Sequence, residues 1–206
     1  MKLLKYCLIA IPLFFGQIAL TQGEEIDELL AEMTANADSF KQQIDGITIP
    51  ELEEAINAEE TAKQLFNAME QGVRSYLDSL SNESALKQLL NKYVQRLGEA
   101  KERNLEKYQK TGDPDYKENA DEYKKLELEA KDIFQKILEE RGNSILLLDK
   151  IKAQQDKVIE KIILRKFQKA NATLRETLGN LQKMRENLDT LYSDTRSIGK
   201  KGGISH

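Results

Sequence analysis

The chain has almost none of the side chains on which most nucleophilic and metal chemistry depends. Among its 206 residues there is one cysteine, one histidine and no tryptophan. The cysteine, Cys7, and the histidine, His206, stand at opposite ends of the sequence. No Cys–His or Ser–His pair and no thiolate or clustered-imidazole metal site is therefore expected. Gly199-Lys200-Lys201-Gly202-Gly203 has neither the spacing nor the strand-to-helix setting of a phosphate loop. Proline is nearly missing too, with three in all. Few prolines and 32% charged residues are the composition of long helices and coiled coils.

Acidic residues are absent before Glu24, and that absence defines the first segment. Lys2 and Lys5 precede an apolar run, Leu8 to Leu20, interrupted by Pro12, Gly16 and Gln17. A core that short falls below the ~20 residues needed to cross a bilayer as a helix. The pattern is that of a secretory signal peptide over residues 1–23, cut after Thr21 or Gly23. Cys7 lies before the apolar core, which excludes the lipidated cysteine of a lipoprotein signal. Removing this segment takes two lysines and no acid, so the formal charge moves from −4 to −6. The remaining chain has no cysteine, so burial alone must hold it together in a secreted or periplasmic setting.

What is present is a succession of helical stripes, and the fold class expected is all-α. The chain reads as an elongated antiparallel helical bundle, a coiled-coil rod of about five long helices over residues 24–195. The first helix, 24–45, places Ile26, Leu30, Met33, Ala37, Phe40 and Ile44 at heptad spacing. Gly46 and Pro50 end it, and Pro50 suits the first turn of a second helix with Leu52, Ala55, Glu59, Ala62, Phe66, Met69, Val73, Tyr76 and Leu80 inward. Ser81 and Asn82 offer caps for a third helix with Leu86, Leu90, Tyr93, Leu97, Ala100, Asn104 and Tyr108 inward. So short a connection predicts an antiparallel hairpin over 51–110. Thr111-Gly112-Asp113-Pro114 stops one helix and starts another. That fourth helix, with Tyr116, Ala120, Tyr123, Ala130, Phe134 and Ile137 inward, is expected to end at Arg141-Gly142-Asn143.

From Ser144 the sequence predicts one helix to Ser193, roughly 75 Å long at 1.5 Å per residue. Ile163, Phe167 and Ala170 recur eleven residues later as Leu174, Leu178 and Leu181, the period of a nearly straight stripe. Residues 51–169 then form a four-helix unit, and 170–193 project beyond it. The first helix is expected to cover that projection antiparallel, with Met33, Ala37 and Phe40 on Leu174, Leu178 and Leu181. Residues 196–206 read as a disordered tail.

No catalytic, cofactor or metal residue is assigned. Glu53-Glu54 and Glu59-Glu60 read as solvated helix faces, except that Glu59 sits on the apolar seam, where a partner lysine or a frayed helix end accounts for it, and Asp113 with Asp115 lacks the rest of a calcium loop. Asn82-Glu83-Ser84 and Asn171-Ala172-Thr173 are glycosylation sequons. Asn104 is a polar residue on an apolar stripe, which either fixes register or marks a wet helix end. The candidate partner-contact stripe is Lys150, Lys157, Lys161, Arg165 and Arg175, within about 80° of one another on a continuous helix at 100° per residue. Export and negative net charge argue against nucleic acid. No Trp or Phe stands with these bases to favour a lipid surface, so membrane contact is expected only through the transient signal segment. The expected function is that of an exported, non-enzymatic structural or protein-interaction module, acting on a protein partner or on itself through its helices. The alternative is a helical chaperone or binding module with an apolar client or small ligand between helices, which would show as a groove lined by Tyr76, Tyr93, Tyr108, Tyr116 and Tyr123. An enzyme using carboxylates alone is the third class.

Overall fold

In the computed structural model, which describes residues 13–204 and side chains from Gly23 onward, the chain is all-helical. Five helices pack against one another: α1 (Leu13–Asp45), α2 (Ala58–Ser79), α3 (Ala85–Thr111), α4 (Pro114–Ile163) and α5 (Phe167–Lys201). The expected signal segment falls partly outside the described residues. No described helix is long and apolar enough to cross a membrane.

The largest departure from the sequence reading concerns where the long helix lies. It is α4, and it runs through Gly142 and Asn143 without a break; the turn comes instead at Leu164-Arg165-Lys166. A glycine inside a helix costs only ~1 kcal/mol. Against that stand the buried Ile137, Ser144 and Ile151, which a break at Gly142 would pull out of register with the core. Arg141 also donates from Nη1 to the carbonyls of Leu77 (3.3 Å) and Leu80 (3.0 Å), while Tyr76 donates its hydroxyl to Glu140 at 2.9 Å. At the other end, Lys166 N bonds Lys161 O at 2.7 Å and Arg165 N bonds Ile162 O at 2.8 Å. This pair of bonds is the Schellman closure of a helix end. Arg165, at φ 55°, occupies the left-handed position that glycine usually takes.

With the turn there, α5 comes back along α4. Lys150 pairs with Glu176 at 3.1 Å, Lys136 with Asp194 at 3.1 Å and Lys201 with Glu129 at 3.3 Å, a steady antiparallel register. The eleven-residue reading dissolves, since Ile163 now ends a different helix and points outward. Along α5 the buried positions include 170, 174, 177, 181, 184, 188, 191, 195 and 198, an unbroken heptad alternation flanked by the buried Asn171, Tyr192 and Gly199. Two of these are threonines. Thr177 and Thr195 satisfy their hydroxyls on the Thr173 and Leu191 carbonyls of their own helix and so bury without an orphaned donor. The stretch expected to project, 170–193, lies against α1, α2 and α4.

The carboxyl-terminal stretch expected to be disordered continues α5 to Lys201. Ile198 is buried and Ile204 packs on the core. Gly203, at φ 62°, closes this helix as Arg165 closes α4, with Ile204 N on Gly199 O at 2.9 Å.

α2 and α3 do not form a hairpin. Gly72 abuts Leu181 and Tyr192 meets Ser79, while Gly202 abuts Leu97. Both α2 and α3 therefore advance along α5 in the same sense, one after the other, and both oppose α4. The joint needs no reversal because Ser84 caps α3 through Lys87 N at 3.4 Å and Arg141 satisfies the end of α2. Leu80, Ala85 and Leu86 are buried across it.

α2 also starts later than expected. Pro50 lies in an irregular connection, residues 46–57, and Asn57 is the cap, accepting from Glu60 N at 3.3 Å. Leu52 is buried under that connection, and Glu51 is held by Asn171 Nδ2 at 2.6 Å and by Arg175. α1 does run antiparallel to α5, but in a shifted register. Asp45 pairs with Arg185 at 2.9 Å and Thr34 accepts from Arg196 at 2.6 Å, which sets Ala37 near Ser193 rather than Leu178. α1 rests on α2 and α3 as well, Phe40 meeting Tyr76 at 5.6 Å between ring centroids.

Candidate functional site

The basic stripe drawn on one helix is divided by the turn. Lys150, Lys157 and Lys161 lie on α4, Arg165 in the turn and Arg175 on α5. Three of the five are engaged within the chain: Lys150 with Glu176, Lys161 with the Thr173 hydroxyl at 2.8 Å, and Arg175 with Glu51. Arg165 and Lys157 are exposed and make no side-chain hydrogen bond or ion pair among the described residues.

Around Arg165 the structure assembles what the sequence reading missed. Lys166 and Lys169 join it, exposed and likewise without side-chain partners among the described residues. Beside them Ile163 and Leu164 stand 64% and 52% exposed. From Lys161 to Arg175 there are five basic residues and no acidic one; the flanking acids in sequence are Glu160 and Asp156 on α4 and Glu176 on α5, and Glu51 of the 46–57 connection reaches Asn171 and Arg175. The first turn of α5 carries no acid and no side-chain cap. One signal was available beforehand. Ile162, Ile163 and Leu164 are consecutive, and no single face of a helix can bury three residues 100° apart.

A second exposed feature lies on the side of α4 opposite the core. Leu138, Ile145 and Leu146 are 56%, 51% and 68% exposed, and Gly142 sits among them. Among the described residues, six of the eight large apolar side chains left exposed, Leu128 and the two at the turn included, belong to α4 or its end. The concentration on one element distinguishes them from scattered surface leucines.

The five tyrosines do not converge. Tyr76 and Tyr93 are fully buried, whereas Tyr108, Tyr116 and Tyr123 lie half-buried near the α3–α4 turn, Tyr116 beneath Lys107 at 5.3 Å. Burial and the Glu140 carboxylate hold the Tyr76 phenol far above its ordinary value, and burial pushes Tyr192 up to about 12. The groove between α1 and α2, lined by Asn36, Ser39, Gln43, Ser75 and Asp78, measures about 210 Å³, below the range of ~300–1,000 Å³ usual for ligand sites.

Of the carboxylates singled out in the sequence, Glu53 and Glu54 are exposed in the 46–57 connection rather than on a helix, and Glu59 and Glu60 stand in the first turn of α2. Asp113 caps α4 through Asp115 N at 3.1 Å. Glu127 bridges Lys101 (2.8 Å) and Lys131 (2.7 Å), whose hydrogen bonds hold its carboxyl below the usual range. Among the described residues no group of three or more His, Cys, Asp or Glu could hold a metal ion. Asn104 bonds the carbonyl of Ala100 in its own helix at 2.8 Å and reaches no neighbour that would set register. Of the two sequons, Asn82 is exposed, while Asn171 is buried and spends its amide on Glu51 and Pro50. A glycan on Asn171 is incompatible with this packing. No family model, curated protein or solved structure matches the chain.

Proposed function

We propose that this is an exported, non-enzymatic helical module, an elongated coiled-coil rod that works by protein contact through its helices in the periplasm or outside the cell. The observation that carries the reading is the apolar outer face of α4, where Leu138, Ile145 and Leu146 stand exposed on the side away from the core. Exposed apolar surface gathered on one rigid element is the usual mark of an interaction face. The alternative, a client or ligand held between helices, is disfavoured by the tyrosines, which are spent on packing or spread along the bundle. The export reading is compatible with the fold, because cutting after Thr21 or Gly23 leaves every buried residue of α1 from Ile26 onward in place.

The test is a photo-cross-linking amino acid at Ile145, with a second at the exposed Glu53 as control, in cells that export the protein. A discrete adduct from position 145 and none from 53, lost on Leu138→Glu, is the expected result. Adducts of equal yield from both positions, or none from 145, would overturn the assignment of this face. Mass spectrometry of the same material should find a first residue near Gln22 or Glu24; an intact Met1 refutes export by a cleaved signal.

A further inference from the structure

The turn between α4 and α5 is an apex carrying two exposed aliphatic side chains and three exposed bases, and nothing in the α4 outer-face reading uses it. We propose that this apex docks on an anionic phospholipid surface, with Ile163 and Leu164 entering the interface and Arg165, Lys166 and Lys169 at the level of the phosphates.

Three observations lead there. First, the three bases are free. In a chain where Lys150, Lys136, Lys201, Arg175 and Arg185 all find carboxylates, these three make no ion pair among the described residues and meet no acid between Lys161 and Arg175. Second, Ile163 and Leu164 are held outward by the backbone itself. The closing bonds from Arg165 N and Lys166 N place them in the last turn of α4, while Ile162 beside them is buried. Their exposure is therefore a fixed property of the turn. Third, the exposed aliphatics and the exposed bases share one turn. An acidic helix would meet the bases but would leave two aliphatics at the apex in water, whereas a lipid interface accepts both at once. The sequence reading set a lipid surface aside for want of Trp or Phe beside the bases; at the turn the exposed Ile163 and Leu164 supply the apolar side chains instead.

Charge complementarity sets the expected size. A base held near an anionic surface is worth about a fivefold factor in partitioning, so reversing three should cost at least a hundredfold. The apolar amino-terminal segment can itself bind lipid, so the readout must be local to the apex. In a Cys7→Ser background, an environment-sensitive fluorophore on Leu164→Cys is followed as vesicles are added, with Leu105→Cys at the far end of α3 as control. The vesicles are phosphatidylcholine with or without 30% phosphatidylglycerol. The expected result is a blue shift at 164 on anionic vesicles, absent on pure phosphatidylcholine and absent at 105. Arg165→Glu with Lys166→Glu and Lys169→Glu should weaken the shift by a hundredfold or more, and Ile163→Ser by several-fold. A helical circular dichroism spectrum unchanged in each variant shows that the fold survives. A probe at 164 that stays in an aqueous environment overturns the proposal, as does a shift equal on neutral vesicles or indifferent to the charge reversals. A probe at 164 that responds to an acidic helical peptide and not to anionic vesicles overturns it in favour of a protein partner.

Discussion

Replacing Gly142 by alanine tests the central feature of the fold through the sign of the effect. In the structure Gly142 is exposed in the middle of α4, and a Cβ built on it meets no atom within 4 Å. Alanine there adds no clash and gains the helix-propensity difference of about 1 kcal/mol. For a chain of this size that is a rise of roughly 2–4 °C in Tm. If the chain left the helix at Arg141-Gly142-Asn143-Ser144, glycine would sit in the left-handed conformation. Alanine would then cost about 1–2 kcal/mol, and Tm would fall by a similar amount. Gly112 supplies the internal standard, since it lies at φ 72° at the end of α3 and Gly112→Ala should lower Tm. Gly98 and Gly179 lie inside α3 and α5 with nothing within 4 Å of an added Cβ. The triple alanine variant at 98, 142 and 179 should therefore gain about 3 kcal/mol if the sites add. Thermal melts followed by circular dichroism, with urea titrations to convert shifts to free energy, are sufficient. A lowered Tm for Gly142→Ala refutes a continuous α4.

Phe66 and Leu90 are buried in the shared core, so Phe66→Ala should lose about 3–5 kcal/mol and Leu90→Ala about 2–5 kcal/mol in urea titrations; values near zero would remove them from the core. Tyr192 has its phenol pushed from 10 to about 12 by burial. Between those pH values the unfolded chain has released this proton and the folded one has kept it, so stability falls as pH rises through that window, by about 2–3 kcal/mol from this group. Tyr192→Phe should flatten that part of the stability–pH curve, and an unchanged slope would contradict the assignment. Arg165→Gly should raise stability by about 1 kcal/mol by relieving the left-handed strain at φ 55°; a loss would mean that the turn has another geometry.

Sequence alone determined the features set by one helix and its own ends. The apolar stripes of α2 and α3, from Ala62 to Leu80 and from Leu86 to Leu97, are legible because a period of 3.5 to 3.6 residues admits a single buried face. The Gly112-Asp113-Pro114 break is equally local, each residue satisfying a backbone requirement at its own position. Tertiary structure decided the rest wherever a local preference of about 1 kcal/mol met a larger sum of burial. Gly142 and Asn143 favour a break, but Arg141 and Glu140 reach the α2–α3 joint and keep the helix whole. Nothing in Leu164-Arg165-Lys166 favours a turn, yet turning there lets Ala170, Leu174 and Leu181 return to the core. The direction of α3 after α2, and the register of α1 on α5, depend on which neighbours accept them. The apex of bases and aliphatics inherits this: its residues are adjacent in sequence, but only the position of the turn decides that they face outward together.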